Sequence, residues 1–191
     1  QALAERLHRL SREDSLTGLA NRRSFDEALD REWRRCQREQ QPLTIMLVDV
    51  DCFKAYNDHY GHLQGDRCLQ QLSGELRSYG RRGGDVVARF GGEEFVMLYP
   101  GIGETEAQQL ASRVCRSIRA LAIPHCCNPD SGEVTVSLGV AVLTPGPKQT
   151  AMALLEAADR ALYQAKQSGR DTWRLYEPPP RVRLVKDDKG L

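Results

Sequence analysis

The stretch Val86-Val87-Ala88-Arg89-Phe90-Gly91-Gly92-Glu93-Glu94-Phe95-Val96-Met97-Leu98-Tyr99 decides the fold of this chain. Two apolar runs flank two glycines and two adjacent carboxylates. Gly-Gly tolerates the positive φ angles of a tight hairpin turn. The pattern therefore predicts a β-hairpin with acid at its tip. Glycines there also let a ligand approach the backbone. Successive strand side chains face opposite ways, so Glu93 and Glu94 need not share a role. Alone, such a tip reads first as a solvated turn.

A second acidic cluster lies upstream. Leu43–Val48 is a short, almost wholly apolar run whose length suits a buried strand better than a helix. It ends in Asp49-Val50-Asp51. Carboxylates at the carboxyl end of a buried strand sit where α/β sheets place ligands. Oxygen ligands suit Mg²⁺, which takes one or two carboxylates together with substrate phosphates. A calcium loop fails on spacing. Counting from Asp49, Lys54 stands where glycine is required and Tyr60 where glutamate is required.

Working outward, Ser24–Glu27 has the form of a capping box, and Phe25, Leu29, Trp33 and Cys36 mark one face of a helix reaching about Arg38. A short helix is expected near 53–58, then longer helices over 65–78, 104–121 and 150–167. Strands are expected over 133–142 and 172–176. Leu3, Leu7 and Leu10 form a helical stripe, read either as the end of a coiled coil or as a terminal helix packed on its own domain. Strands mixed with helices, including a direct hairpin, imply an α+β layered sheet with helices on its faces.

Composition bounds the function. The chain has 191 residues, 40% hydrophobic and 28% charged, with net charge +1. These values suit one soluble globular domain and offer no electrostatic case for nucleic acid. The six cysteines form no C-x-x-C pair, which gives a zinc or thioredoxin-like reading little support. They read as reduced thiols of a cytoplasmic protein, with Cys52 a candidate redox residue. Gln1 in place of Met points to a piece of something longer. Generic nucleotide motifs are absent: there is no P-loop, and Gly101-Ile102-Gly103 lacks the third glycine of a dinucleotide fingerprint.

In this order of motifs the chain resembles the GGDEF domain, the catalytic unit of diguanylate cyclases. The match runs from DSLTGLANRR (Asp14–Arg23) through DVDCFK (Asp49–Lys54), Asn57-Asp58, Gly61-His62 and Gly65-Asp66. It continues through Gly91–Phe95, VTVSLG (Val134–Gly139), DRALY (Asp159–Tyr163), Lys166 and Gly169-Arg170-Asp171. Among members it most resembles those carried on response regulators. The resemblance implies three segments: the end of a signalling helix over 1–13, the catalytic domain over 14–177, and a proline-rich, disordered tail over 178–191. It implies a nucleotidyl-cyclase-like palm, with a central mixed five-stranded sheet and the GGEEF signature on a central hairpin.

The resemblance also implies a reaction: condensation of two GTP into cyclic di-GMP and two pyrophosphates by a homodimer. Its site residues follow by match to the motif. Asp49, Glu93 and the Val50 carbonyl would hold Mg²⁺ or Mn²⁺, two ions per GTP. Glu94 would assist deprotonation of the 3′-hydroxyl or complete the metal shell. Lys54, Lys166 and Arg170 would contact phosphates, with Phe53 also at the substrate. Asn57 and Asp66 would read guanine. Taken alone, Lys166 and Arg170 could complement a helix dipole, and Asp66 could be a helix N-cap. Asp51 is expected to serve structure and His62 to hydrogen-bond within its loop.

Arg82-Gly-Gly-Asp85 matches the family's R-x-x-D inhibitory site, where product would bind, with Arg113 as a second arginine. The competing readings are a degenerate receptor for GTP or cyclic di-GMP, and a cyclase with a different cyclic product. The full-length protein is expected to place an upstream sensor or receiver before this domain and to be either soluble or membrane-attached.

Overall fold

A computed structural model describes residues 12–178. The Leu3-Leu7-Leu10 stripe and most of the proline-rich tail fall outside the described residues.

Among the described residues, five helices and five strands follow one another as α1 (Arg22–Glu39), β1 (Leu43–Val50), α2 (Phe53–Tyr60), α3 (His62–Arg77), β2 (Val86–Gly91), β3 (Glu94–Pro100), α4 (Glu104–Ala120), β4 (Val136–Leu143), α5 (Ala151–Gln167) and β5 (Trp173–Leu175). The strands form one sheet in the order β2-β3-β1-β4-β5. All neighbours run antiparallel except β4 and β5, which are parallel. This is the mixed five-stranded palm with the hairpin β2–β3 that the sequence predicts.

β1 lies at the centre because it is apolar on both faces; all eight of its residues are buried. Alternation sends its side chains to two cores. Met46, Val48 and Val50 pack with Phe53, Tyr56, Leu69, Leu72, Val114 and Ile118 on one side. Leu43, Ile45 and Leu47 pack with Phe25, Leu29 and Trp33 of α1 and Leu154, Ala158 and Leu162 of α5 on the other. Asp49 continues the second set, so the sheet aims its carboxylate toward the α5 side. Gly139 lets α5 approach β4 closely: a Cβ there would lie 2.0 Å from the Ala158 carbonyl oxygen and 2.3 Å from the Leu162 nitrogen.

Three local expectations are corrected. The N-cap of α1 is Asn21, not Ser24: the Asn21 side chain accepts from the Ser24 amide, while the Ser24 hydroxyl donates to the Arg12 carbonyl. Glu27 is drawn away to Arg12 and Arg23, so no capping box closes. His62 opens α3 and is exposed, and its side chain makes no hydrogen bond among the described residues. Helix α3 begins at His62, which places Asp66 inside the helix and not at its N-cap. The helix starts earlier than expected because Gly61, at φ 84°, turns the chain directly from α2 into α3.

Candidate active site

Antiparallel register sets the acidic residues against each other. Asp49 pairs across the strands with Glu94 of β3 and Ser137 of β4. Paired residues of an antiparallel ladder share a face, so Glu94 stands beside Asp49 on the α5 side. The Val50 amide donates to the Glu93 carbonyl at 3.3 Å, which seats the hairpin tip over the end of β1. Gly92 takes φ 44° in that turn.

From α5, Lys166 reaches across and its Nζ lies 2.8 Å from Asp49 Oδ2. Asp49 is 8% exposed. Burial pushes its carboxyl above the ordinary aspartate range, Lys166 pulls it back, and Glu93 and Glu94 push it up again. Burial and neighbouring like charges create a demand for positive charge at this point. A lysine ammonium meets part of that demand. Two carboxylates and a backbone carbonyl, all oxygen, fit a Mg²⁺-like cation that takes its remaining ligands from phosphate and water. Glu94 and Lys166 also line one groove with Asp159, Tyr163 and Gln167.

Asp51 does not join this group. It is 1% exposed and accepts from the Thr135 and Ser137 hydroxyls, at 2.8 and 2.6 Å, and from the Asp171 amide at 3.0 Å. It therefore clamps β4 and the 168–172 turn to the end of β1, as its structural reading expects. That turn carries Arg170, which is exposed at φ 63° and makes no ion pair among the described residues.

Helix α2 starts directly after the acidic strand end. Its N-cap, Cys52, sits in the left-handed region at φ 55° and supplies no side-chain cap. Free amides at a helix N-terminus favour anions, and the exposed Lys54 stands in that first turn. Phe53 is 7% exposed and part of the core, so its side chain serves packing. Farther along α2, Asn57 lies against Gly65, where a Cβ would fall 1.9 Å from Asn57 Oδ1. That oxygen is buried and has no hydrogen-bond partner among the described residues. Asp66, the next residue of α3, is exposed. The α2–α3 corner thus carries both the amide and the carboxylate that the family resemblance assigns to guanine.

Arg82, Asp85 and Arg113 also come together, away from the hairpin tip. They line a cavity of ≈340 Å³ with Tyr79, Tyr99 and Glu106. The Arg82 amide donates to Asp85 Oδ2 at 2.8 Å, and the Arg82 guanidinium lies 2.6 Å from Glu106. Asp85 Oδ1 and the Tyr99 hydroxyl are buried there without hydrogen-bond partners among the described residues.

Sequence reading assigned no role to Arg89. Its guanidinium donates to the Gly92 carbonyl at 2.9 and 2.8 Å and to Asp14 at 3.1 and 3.3 Å. Asp14 in turn accepts from the Thr17 amide and hydroxyl. The opening motif thereby braces the signature turn. An isolated charge inside an otherwise apolar strand was the available signal.

The family model described as "Diguanylate cyclase, GGDEF domain" matches residues 11–172. Diguanylate cyclase DgcP of Pseudomonas aeruginosa is 40% identical over 158 residues, which is 83% of this chain and 23% of DgcP. Response regulator PleD of Caulobacter vibrioides is 37% identical over 83% of this chain and 34% of its own length. The chain thus spans well under half of these relatives. Among solved structures, the coiled coil and GGDEF domain of DgcB from Caulobacter crescentus, in complex with c-di-GMP, superposes with a TM-score of 0.82 at 28% identity. That match covers 91% of this chain and 90% of the other.

Proposed function

The chain belongs to the GGDEF domain family of diguanylate cyclases, and on that premise we propose that it condenses two GTP molecules into cyclic di-GMP and two pyrophosphates. The observation that carries this reading is the convergence of Asp49, Glu94 and Lys166 on one face of the sheet, beneath the Gly91–Glu94 turn.

In each half-reaction a 3′-oxygen bonds to the α-phosphorus of the other nucleotide. The bond from that phosphorus to the β-bridging oxygen breaks, and pyrophosphate leaves with the electron pair. Asp49, Glu93 and the Val50 carbonyl would hold Mg²⁺ or Mn²⁺, which when bound neutralises triphosphate charge and acidifies the 3′-hydroxyl. Glu94, beside Asp49, accepts the 3′-proton. Lys166, Arg170 and Lys54 bind triphosphate oxygens, lysine as a point charge and arginine as a fork. Asn57 and Asp66 read the guanine edge, the carboxylate accepting from N1–H and N2–H.

One domain holds one GTP, so ring closure requires two copies facing each other. The partner is therefore a second copy of this chain. Product feedback is assigned to the cavity of Arg82, Asp85 and Arg113, whose buried unpartnered oxygens suit a ligand with N–H donors. We also read the chain as the output domain of a longer protein with a sensor or receiver upstream.

The test is GTP turnover with Mg²⁺ after bound nucleotide has been stripped, with products separated by chromatography. Glu93→Gln should abolish cyclic di-GMP formation with an unchanged melting curve. Retained activity would remove the metal assignment.

A further inference from the structure

Beyond the carboxylate site, one group of side chains on this chain has the chemistry of a different metal. We propose that His59, Cys126 and Cys127 form a binding site for a thiophilic divalent cation of the Zn²⁺ type. Their ligand atoms all lie within 4.8 Å of one another, at the surface. The two Sγ atoms stand 3.5 Å apart. With Zn–S bonds of about 2.3 Å, two tetrahedral thiolates lie about 3.8 Å from each other. Small rotations of the three side chains therefore close a Cys₂His set, with water in the fourth position. Thiolate and imidazole select Zn²⁺-like ions, where the oxygens of Asp49 and Glu93 select Mg²⁺.

The site is held from both sides. His125 and Asn128, which flank the two cysteines, are buried at 0% and 4% exposure. His125 Nε2 lies 3.2 Å from the Cys52 carbonyl, and its ring meets Tyr56 edge-on at 5.1 Å. The Asn128 side-chain Nδ2 donates to the Glu133 carbonyl at 2.8 Å. The Cys126 amide donates to the Tyr60 hydroxyl at 3.1 Å, next to His59 on α2. Cys126 and Cys127 thus sit on a loop already docked on α2, and little ordering remains to be done on binding. The other thiols are placed differently. Cys36, Cys68 and Cys115 are buried, and burial pushes the Cys68 and Cys115 thiols up to about 12. A cation here would tie the 122–135 loop to α2, the helix that carries Lys54 and Asn57.

The experiment is a Co²⁺ titration of the reduced chain, with Mg²⁺ saturating the carboxylate site. The expected result is one Co²⁺ per chain, a sulfur-to-cobalt charge-transfer band in the near ultraviolet, and displacement by Zn²⁺. Carboxylate ligands cannot give that band. The double variant Cys126→Ser, Cys127→Ser should lose it, and His59→Gln should weaken binding by about tenfold or more. All three residues lie at the surface, so melting curves should match the parent without metal. Absence of the band in the parent, its survival in the double variant, or unchanged affinity in His59→Gln would each overturn the proposal.

Discussion

Lys166 Nζ stands 2.8 Å from Asp49 Oδ2, so an ammonium from α5 occupies the carboxylate that a catalytic cation would need. The pair must open, or share Asp49, when metal and triphosphate arrive. Lys166→Gln should then have opposite effects on two ligands. Divalent cation binding without nucleotide should tighten, because a competing positive charge is gone. Turnover of GTP should fall on the order of a hundredfold in kcat/KM, because the phosphate contact proposed for Lys166 would be lost. Calorimetry with Mn²⁺ and steady-state kinetics separate the two. Weaker Mn²⁺ binding in the variant would mean that Lys166 does not compete for Asp49.

Gly65 leaves room for Asn57. In Gly65→Ala the new methyl would fall 1.9 Å from Asn57 Oδ1 and 3.3 Å from the Phe53 ring. The amide must swing away, and the hydrogen bond proposed for it with guanine goes too. One such bond is worth about 1.5 kcal/mol, or roughly tenfold in kcat/KM for GTP. Melting curves recorded alongside separate a loss of guanine reading from a loss of fold. Parent-like kinetics would show that Asn57 does not read the base.

Asp14 braces the signature turn through Arg89. Burial raises its carboxyl, but hydrogen bonds from Thr17 and the Arg89 guanidinium outweigh that and hold it below the ordinary aspartate range. A depressed folded pKa stabilises above the unfolded value and is lost as pH falls through the folded one. Asp14→Asn should therefore cost about 1 kcal/mol at neutral pH. The gap to the parent should narrow as pH drops below about 4. Denaturant melts across pH check this, and a gap that widened in acid would contradict it.

Arg82 is held 2.6 Å from Glu106 beside the cavity proposed to take product. Releasing it should favour product. Glu106→Gln should lower the cyclic di-GMP concentration that halves activity, and Arg82→Ala should raise it. Equal inhibition of both variants and the parent would place feedback elsewhere.

The sheet was legible because its strands announce themselves. Leu43–Val50 reads as a buried strand and is buried throughout, and the Gly-Gly turn marks the hairpin. Helix periodicity located α1, α4 and α5 to within a few residues. The start of α1 was misread because Ser24 and Glu27 satisfy a local rule while Arg12 and Arg23 compete for their side chains. The candidate site residues were drawn from motif spacing and the family resemblance, which also grouped Asn57 with Asp66 and Arg82 with Asp85. Contacts at long sequence range were not. Nothing near Arg89 names Asp14, and no local pattern says that α5 returns Lys166 to Asp49. Likewise, the loop that carries Cys126 to His59 became visible only in three dimensions.

The most direct test of the central claim is the initial rate of cyclic di-GMP formation as a function of chain concentration, with Mg²⁺ and GTP saturating. Two half-sites that must face each other predict a rate rising with the square of concentration below the dimerisation constant, and loss of all product in Glu93→Gln. A rate strictly linear in chain concentration over that range, or product formed by Glu93→Gln, would contradict the account.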